Sequence, residues 1–184
     1  MHFFNICGTF IKHQNQFQDH IGKFVAWGTL SLVVLTVLVD ILRYGFDSGS
    51  IALQEAVMYN HAMVFMLGIA YTYCHNQHVR VDLFYGQMSE ERKAWVNLIG
   101  SILFTLPVMV FILWSGWDYV SASWQIQETS AEAGGLEYLY VLKTLIIIMA
   151  LLVIMQALSV MAESAITIHD HKASIEEEPM EGHL

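Results

Sequence analysis

Two histidines, His61 and His75, are the residues of this chain whose type and spacing best suit redox chemistry. They lie 14 residues apart on one predicted helix, close to four helical turns, and each imidazole could bind a haem iron. Each haem would need a second axial ligand from another helix, and the other predicted spans contain no histidine. A haem-binding membrane anchor of a redox complex is therefore kept as the alternative function.

His75 and His78 form a second pattern that could bind a metal, since side chains three apart are neighbours on a helix. Apart from Asp82, no acid, cysteine or further histidine follows at a spacing that would complete a ligand set. We interpret both as polar side chains at the membrane surface. The sequence also has no Ser/His/Asp arrangement and no phosphate-binding glycine loop. We expect neither an enzyme nor a metal or cofactor bound by this chain.

The elements that must position these residues are membrane helices. The chain of 184 residues is 55% hydrophobic and 14% charged, which is too apolar for an ordinary soluble domain. Four stretches, 24–39, 56–74, 94–117 and 144–162, carry no charge, and each approaches the ~20 residues that cross a bilayer as a helix. The net charge of −9 argues against nucleic acid as a partner and leaves phospholipid as the expected surroundings. The sequence predicts an all-α integral membrane protein with four transmembrane helices.

The predicted organisation has three parts. An N-terminal arm covers residues 1–20, with the first helix beginning near Asp19; a transmembrane domain covers 21–163; and an acidic tail covers 164–184. The spans are expected at about 22–43, 54–75, 90–118 and 138–163, with a short amphipathic interfacial helix at 79–88. Six Lys and Arg residues lie in the arm, at the start of the first span (Lys23), in the 79–93 segment and in the tail, against two elsewhere. Both termini are therefore predicted to be cytoplasmic.

Local signals support these boundaries. Ser50 and Ser89 precede apolar or amphipathic stretches and are predicted N-caps, because serine accepts a hydrogen bond from a free backbone N–H. Pro107 lies in the middle of the third span and is expected to kink it. Tryptophans flank the same span, as in the aromatic belts of membrane proteins: Trp95, Trp114 and Trp117.

Two groups of residues are candidate functional positions, although neither group is catalytic. Around the interfacial helix, we expect four residues to set the hinge and its assembly with a partner: His78, Arg80, Asp82 and Arg92. On the opposite side of the membrane, Glu55 is expected to pair with Lys143 or Arg43. The acidic connection there supplies further structural or docking candidates: Trp124, Gly134, Gly135 and Lys143. The chain has no inverted repeat or acid at the bilayer midplane, so we do not expect it to transport a solute alone.

Several motifs, taken in order, resemble one family of membrane proteins. They are Leu53-Gln54-Glu55, Gly68-Ile69-Ala70-Tyr71-Thr72, His78 to Tyr85, Arg92 to Val96, Leu106-Pro107 with Trp114 and Trp117, Ser123-Trp124 to Glu128, Gly134-Gly135-Leu136 and Leu142-Lys143. Over about residues 25–162, this order is similar to the small membrane subunit, or DctQ-like component, of tripartite ATP-independent periplasmic (TRAP) transporters.

The resemblance implies a four-helix protein of the bacterial inner membrane with two protein partners. One is a large membrane subunit of about a dozen spans, which carries the substrate and sodium sites. The other is a periplasmic solute-binding protein that delivers an organic acid or related solute. The small subunit would brace the large one and help the binding protein to dock. A free-standing scaffold that forms a homo-oligomer is a third hypothesis.

Overall fold

The computed structural model describes residues 2–79 and 82–177, and within these ranges every regular element is helical. The α-helices are α1 (His2–Gly45), α2 (Ile51–Cys74), α3 (Asp82–Tyr85), α4 (Glu90–Gly100), α5 (Leu106–Gln125) and α6 (Leu139–Glu177). A π-helical segment, Ser101–Thr105, joins α4 to α5. The predicted all-α class is confirmed.

Three helical stretches are long and apolar enough to cross a membrane: Cys7–Gly45, Glu90–Gln125 and Leu139–Ala173. The second stretch contains α4, the π-helical segment and α5. Helix α2 has sufficient length, with 24 residues, but four polar residues lower its mean hydropathy: Gln54, Glu55, Asn60 and His61. Three of the four predicted spans therefore stand out by length and apolarity, and α2 does not.

Helix α1 begins at His2, so the prediction of a helix beginning near Asp19 is wrong. The reason lies in contacts with α6, which the sequence of the arm does not reveal. Gln18 is fully buried, and its side-chain nitrogen donates to the Leu152 carbonyl at 3.4 Å. The Asn15 side-chain oxygen accepts from Gln156 at 3.3 Å and from Ser159 at 3.4 Å. These tertiary contacts make the arm part of the helix bundle.

Helix α6 continues beyond the predicted end of the fourth span, to Glu177. Its extension approaches α4, where a His171 ring nitrogen lies 3.2 Å from a Glu91 carboxylate oxygen. The start of the predicted acidic tail is therefore helical. Residues 178–184 of that tail lie outside the described residues.

Both predicted serine caps are confirmed. Ser50 accepts a hydrogen bond from the Leu53 N–H, and Ser89 accepts one from the Arg92 N–H, each at 3.4 Å. Each serine has extended backbone dihedrals, as an N-cap requires. The caps fix where α2 and α4 begin.

The backbone accommodates Pro107 through the π-helical segment that precedes it. Proline has no N–H and crowds the carbonyl four residues before it, so a regular helix cannot run through it unchanged. The Leu106 N–H bonds the Ser101 carbonyl, five residues back, which is π-helical geometry. The predicted kink at Pro107 thus coincides with a widened turn.

The packed centre of the molecule lies along α6. Leu152 and Val153 of α6 contact Ala70 of α2 in a small buried cluster. Large apolar side chains, by contrast, lie exposed along α1 and α5, including Trp27, Phe111 and many others. This inversion of the usual soluble pattern fits helices that are covered by lipid or by another membrane protein.

Candidate functional site

The loop between α5 and α6, residues 126–138, folds back onto the beginning of α2. The Glu55 carboxylate accepts a hydrogen bond from the Ser130 hydroxyl with one oxygen and one from the Leu136 backbone N–H, at 2.6 Å, with the other. Both bonds are charge-assisted, which makes them stronger than neutral ones. We call Glu55, Glu128, Ser130, Leu136 and Lys143 the loop cluster.

Lys143 completes the loop cluster from the first turns of α6. Its ammonium group forms a salt bridge with Glu128 and lies 4.0 Å from the centre of the Tyr119 ring, a cation–π contact. The hydrogen bond from Lys143 lowers the pKa of the Glu128 carboxyl. Because Lys143 pairs with Glu128, while Glu55 accepts from Ser130 and Leu136, the predicted pairing of Glu55 with Lys143 is wrong. The Arg43 guanidinium, the other expected partner, lies 6.0 Å from the Tyr44 ring centre.

Two adjacent glycines allow the loop to close. Gly134 has a φ of +83°, a conformation that strains residues with a Cβ. A Cβ on Gly135 would lie 2.7 Å from a Glu55 carboxylate oxygen and still closer to Ser130. The Ser130 N–H also donates to the Leu136 carbonyl at 3.0 Å. Glycine at both positions therefore lets the backbone approach Glu55.

Trp124 connects the end of α5 to the beginning of α6. Its indole N–H donates to the Thr144 hydroxyl at 2.8 Å, and its ring packs edge-on against Tyr140 with centres 4.7 Å apart. The structure thus brings together all five candidates predicted for this side: Glu55, Trp124, Gly134, Gly135 and Lys143. Sequence reasoning missed Ser130, Leu136 and Thr144 because their bonds connect distant elements or use a backbone group.

The predicted hinge residues form no comparable cluster in the part of the chain that the structure describes. The His78 ring centre lies 6.0 Å from that of Tyr73, and Arg92 supplies a backbone N–H to the Ser89 cap. The short helix α3 begins at Asp82, whose side chain is outside the described set, as is Arg80. Their predicted roles therefore remain predictions.

Other contacts hold the hinge end of the molecule, which we define as residues 75–79 and 82–89 with their neighbours. The His75 ring nitrogen lies 2.8 Å from an Asp19 carboxylate oxygen, joining the end of α2 to α1. Tyr85 donates to the Asn97 side-chain oxygen at 3.2 Å. A cavity of about 610 Å³ opens between these elements and α6, and its lining includes Glu90, Lys93 and Glu163. We call it the hinge cavity.

The two histidines considered for haem have different surroundings. His75 contacts the Asp19 carboxylate, whereas His61 is exposed and stacks on Phe65 with ring centres 6.4 Å apart. The neighbouring Asn60 instead faces α1, where its amide nitrogen donates to the Gly28 carbonyl at 3.1 Å and to the Ser31 hydroxyl at 2.6 Å. No group of three His, Cys, Asp or Glu residues suited to a metal ion occurs among the described residues.

The comparison with family models gives a match over residues 32–166, to the family described as tripartite ATP-independent periplasmic transporters, DctQ component. No curated protein and no solved structure matches the chain. The match covers α2 to α5 entirely, most of α6 and about the last third of α1. The matched range includes every residue of the loop cluster and the residues on both sides of the 79–88 segment. The chain therefore belongs to the DctQ family and is a small membrane subunit of TRAP transporters.

Proposed function

We propose that the chain is the small permease subunit of a sodium-coupled secondary transporter. In this role it braces the large permease subunit and helps a periplasmic solute-binding protein to dock during uptake of an organic acid or related solute. Family membership supports the assignment to a TRAP system, whose components include a large permease and a solute-binding protein. The observation that carries the docking role is the anchored loop cluster.

We propose four membrane spans: the three apolar helical stretches and α2, which is the second span in chain order. At 1.5 Å per residue, its 24 residues extend about 36 Å, enough for a hydrocarbon core of ~30 Å. We propose that residues 79–88 lie at the cytoplasmic interface and that both termini are cytoplasmic, following the excess of Lys and Arg there. The loop cluster then lies at the periplasmic surface.

The loop presents acidic groups to the periplasm in this arrangement. Lys143 neutralises Glu128, whereas Glu132 and Glu137 are exposed on the loop and Asp118 is exposed on the last turns of α5. Acidic groups on a fixed backbone suit a partner with a basic surface, since complementary charge directs association. We propose that the solute-binding protein supplies such a surface.

The substrate and sodium sites are proposed to lie on the large subunit. An ion or solute site in a secondary transporter needs polar groups near the midplane, supplied by broken helices or intramembrane acids. The charged residues of this chain lie instead near the ends of the proposed spans or outside them. No cofactor is proposed for the chain, and its contribution to transport is structural.

Deletion and complementation test the proposal in the native membrane. Removing the gene for this chain should abolish solute uptake while the large subunit is still made, and uptake should return on complementation. Full uptake without the chain would overturn the assignment as an essential subunit.

Charge reversal tests the docking role separately. The double variant Glu132→Lys and Glu137→Lys should weaken uptake and reduce binding of the solute-binding protein to the purified permease, most strongly at low salt. The matched control is Glu163→Lys, an exposed acid on the proposed cytoplasmic side, which should have no such effect. Equal effects of the double variant and the control would contradict docking at the loop.

A further inference from the structure

One face of α2 remains uncovered by the rest of the chain. Its exposed positions recur at helical spacing: Ile51, Gln54, Met58, His61 and Phe65. The spacing of three and four residues places them on a single side of the helix. The positions between them are half-buried, because the other sides of α2 pack against α1 and α6. We call these five residues the α2 stripe.

His61 lies near the middle of α2. It is ten residues after Ile51 and thirteen before Cys74, or about 15 Å and 20 Å along the helix axis. A histidine side chain is too short to reach the lipid headgroups from the middle of a helix that crosses the bilayer. If α2 crosses the bilayer as proposed, the exposed imidazole faces the hydrocarbon region.

The imidazole has no hydrogen bond to any described residue, and its contact is the stacked ring of Phe65. Exposed hydroxyl groups on other spans differ in this respect. Thr29 and Thr36 on α1 donate to the carbonyls of Val25 and Leu32, and Ser115 on α5 donates to that of Phe111. Those groups can face lipid because their own helix satisfies them, whereas His61 requires a partner from outside the chain.

We infer that the α2 stripe seats a transmembrane helix of the large permease subunit, with a polar group of that helix hydrogen-bonded to His61. This inference rests on the proposed function. Acyl chains cannot bond an imidazole, whereas a polar residue or a free backbone carbonyl on a neighbouring helix can. Met58 and Phe65 flank His61 with adaptable apolar surface. The low apolarity of α2 has the same explanation, because protein on all sides leaves little of the helix facing lipid.

Site-specific photo-crosslinking in the native complex tests this surface without altering His61. The photoreactive residue p-benzoylphenylalanine replaces Phe65 in one variant and Phe111 of α5 in the control; both phenylalanines are 63% exposed. We expect an adduct between this chain and the large subunit from position 65 and none from position 111. An adduct of two copies of this chain, or no adduct at position 65 in an intact complex, would overturn the inference.

Substitution of His61 gives an independent measure. His61→Leu should reduce recovery of the large subunit with the tagged chain by about threefold to twentyfold, the range for one hydrogen bond between membrane helices. His61→Gln should restore most of the recovery, and Thr36→Val, which removes a hydroxyl satisfied within α1, should leave it unchanged. Unchanged recovery in His61→Leu would contradict the inference. So would a haem Soret absorption of the wild-type complex that His61→Leu abolishes.

The same purification separates failure of this inference from failure of the proposed function. If the wild-type chain recovers no large membrane protein, both fail. If it recovers that protein but the adduct forms from position 111 instead of position 65, the proposed function stands and only the location on α2 is wrong.

Discussion

The loop cluster and the hinge end are built in different ways, although both join helices that are distant in sequence. At the loop cluster, a single carboxylate, Glu55, bonds groups 75 and 81 residues away, and the largely covered side chain of Lys143 neutralises Glu128. At the hinge end, the ion pairs between helices are partly exposed His–carboxylate pairs, His75 with Asp19 and His171 with Glu91. The hinge cavity, of about 610 Å³, lies beside the pair of His75 with Asp19.

The difference indicates which end of the molecule has a fixed shape. Charge-assisted hydrogen bonds to backbone groups hold a loop in one geometry, whereas an exposed ion pair contributes little and is screened by salt. A surface that binds a soluble protein needs a loop that is held in one geometry. Four experiments test the contrast, beginning with the largest expected effect.

Glu55→Ala should release the loop, because it removes both hydrogen bonds and leaves the Leu136 N–H without its acceptor. Hydrogen–deuterium exchange of the loop peptide should increase by roughly tenfold or more. Glu55→Gln, which retains an acceptor oxygen, should cause a smaller increase. Glu132→Gln is the control on the same loop and should leave exchange unchanged. Equal exchange in Glu55→Ala and the wild type would contradict the anchoring role.

Gly135→Ala should destabilise the loop more than Gly134→Ala. The added methyl at Gly135 overlaps Ser130 and approaches Glu55, whereas the space at Gly134 is open and its positive φ is the source of strain. We expect Gly134→Ala to lower the free energy of unfolding by about 1 kcal/mol, and Gly135→Ala by about 1 to 3 kcal/mol. Denaturant titration in detergent measures both. The reverse order would contradict the close approach of Gly135 to Glu55.

Acidification should weaken the salt bridge of the loop cluster. Because Lys143 lowers the pKa of Glu128 below its ordinary value of 4.5, ionised Glu128 stabilises the fold above that pH. The contribution is lost as the pH falls through the lowered pKa. Thermal unfolding at pH 7 and at successively lower pH should show this loss in the wild type. Lys143→Met should be less stable at pH 7 and should show a smaller acid-dependent loss; an unchanged acid dependence would contradict the coupling.

Asp19→Asn should have the smallest effect. Its pairing with His75 is exposed on both sides, so the free energy of unfolding should fall by no more than about 1 kcal/mol. Glu91→Gln, which disrupts the pair with His171, should behave similarly. Denaturant titration measures both. A loss in either variant as large as that in Gly135→Ala would remove the contrast between the two ends.

Local sequence signals correctly predicted the local parts of the fold. Ser50 and Ser89 cap helices because an extended serine before a helical stretch satisfies a free N–H without help from elsewhere. Residues around Pro107 depart from α-helical geometry for an equally local reason. The start of α1 was predicted wrongly because Asn15 and Gln18 are polar, and their contacts with α6 are visible only in the tertiary structure.

The sequence indicated some of the residues on the loop-cluster side of the molecule, but neither their bonding nor the part of Ser130 and Leu136, and the proposed roles of the five candidates remain predictions. Glu55, Gly134, Gly135, Trp124 and Lys143 stood out as polar, flexible or aromatic residues at the ends of apolar stretches. Glu55 was predicted to pair with Lys143 or Arg43, because opposite charges attract. The structure instead supplies Ser130 and a backbone N–H, because the glycine pair allows the loop to approach Glu55, while Lys143 reaches Glu128 on the same connection.

The sequence alone determined the helical class, the apolar stretches, the helix caps and the family, since these depend on composition, on spacing along the chain and on ordered motifs. The tertiary structure alone decided which carboxylate Lys143 contacts, that residues 2–20 belong to the bundle, and that Asn60 faces α1 while His61 faces outward. The physical reason is that neighbouring residues on a helix point in different directions. Only the packing of other helices decides which of those directions is covered.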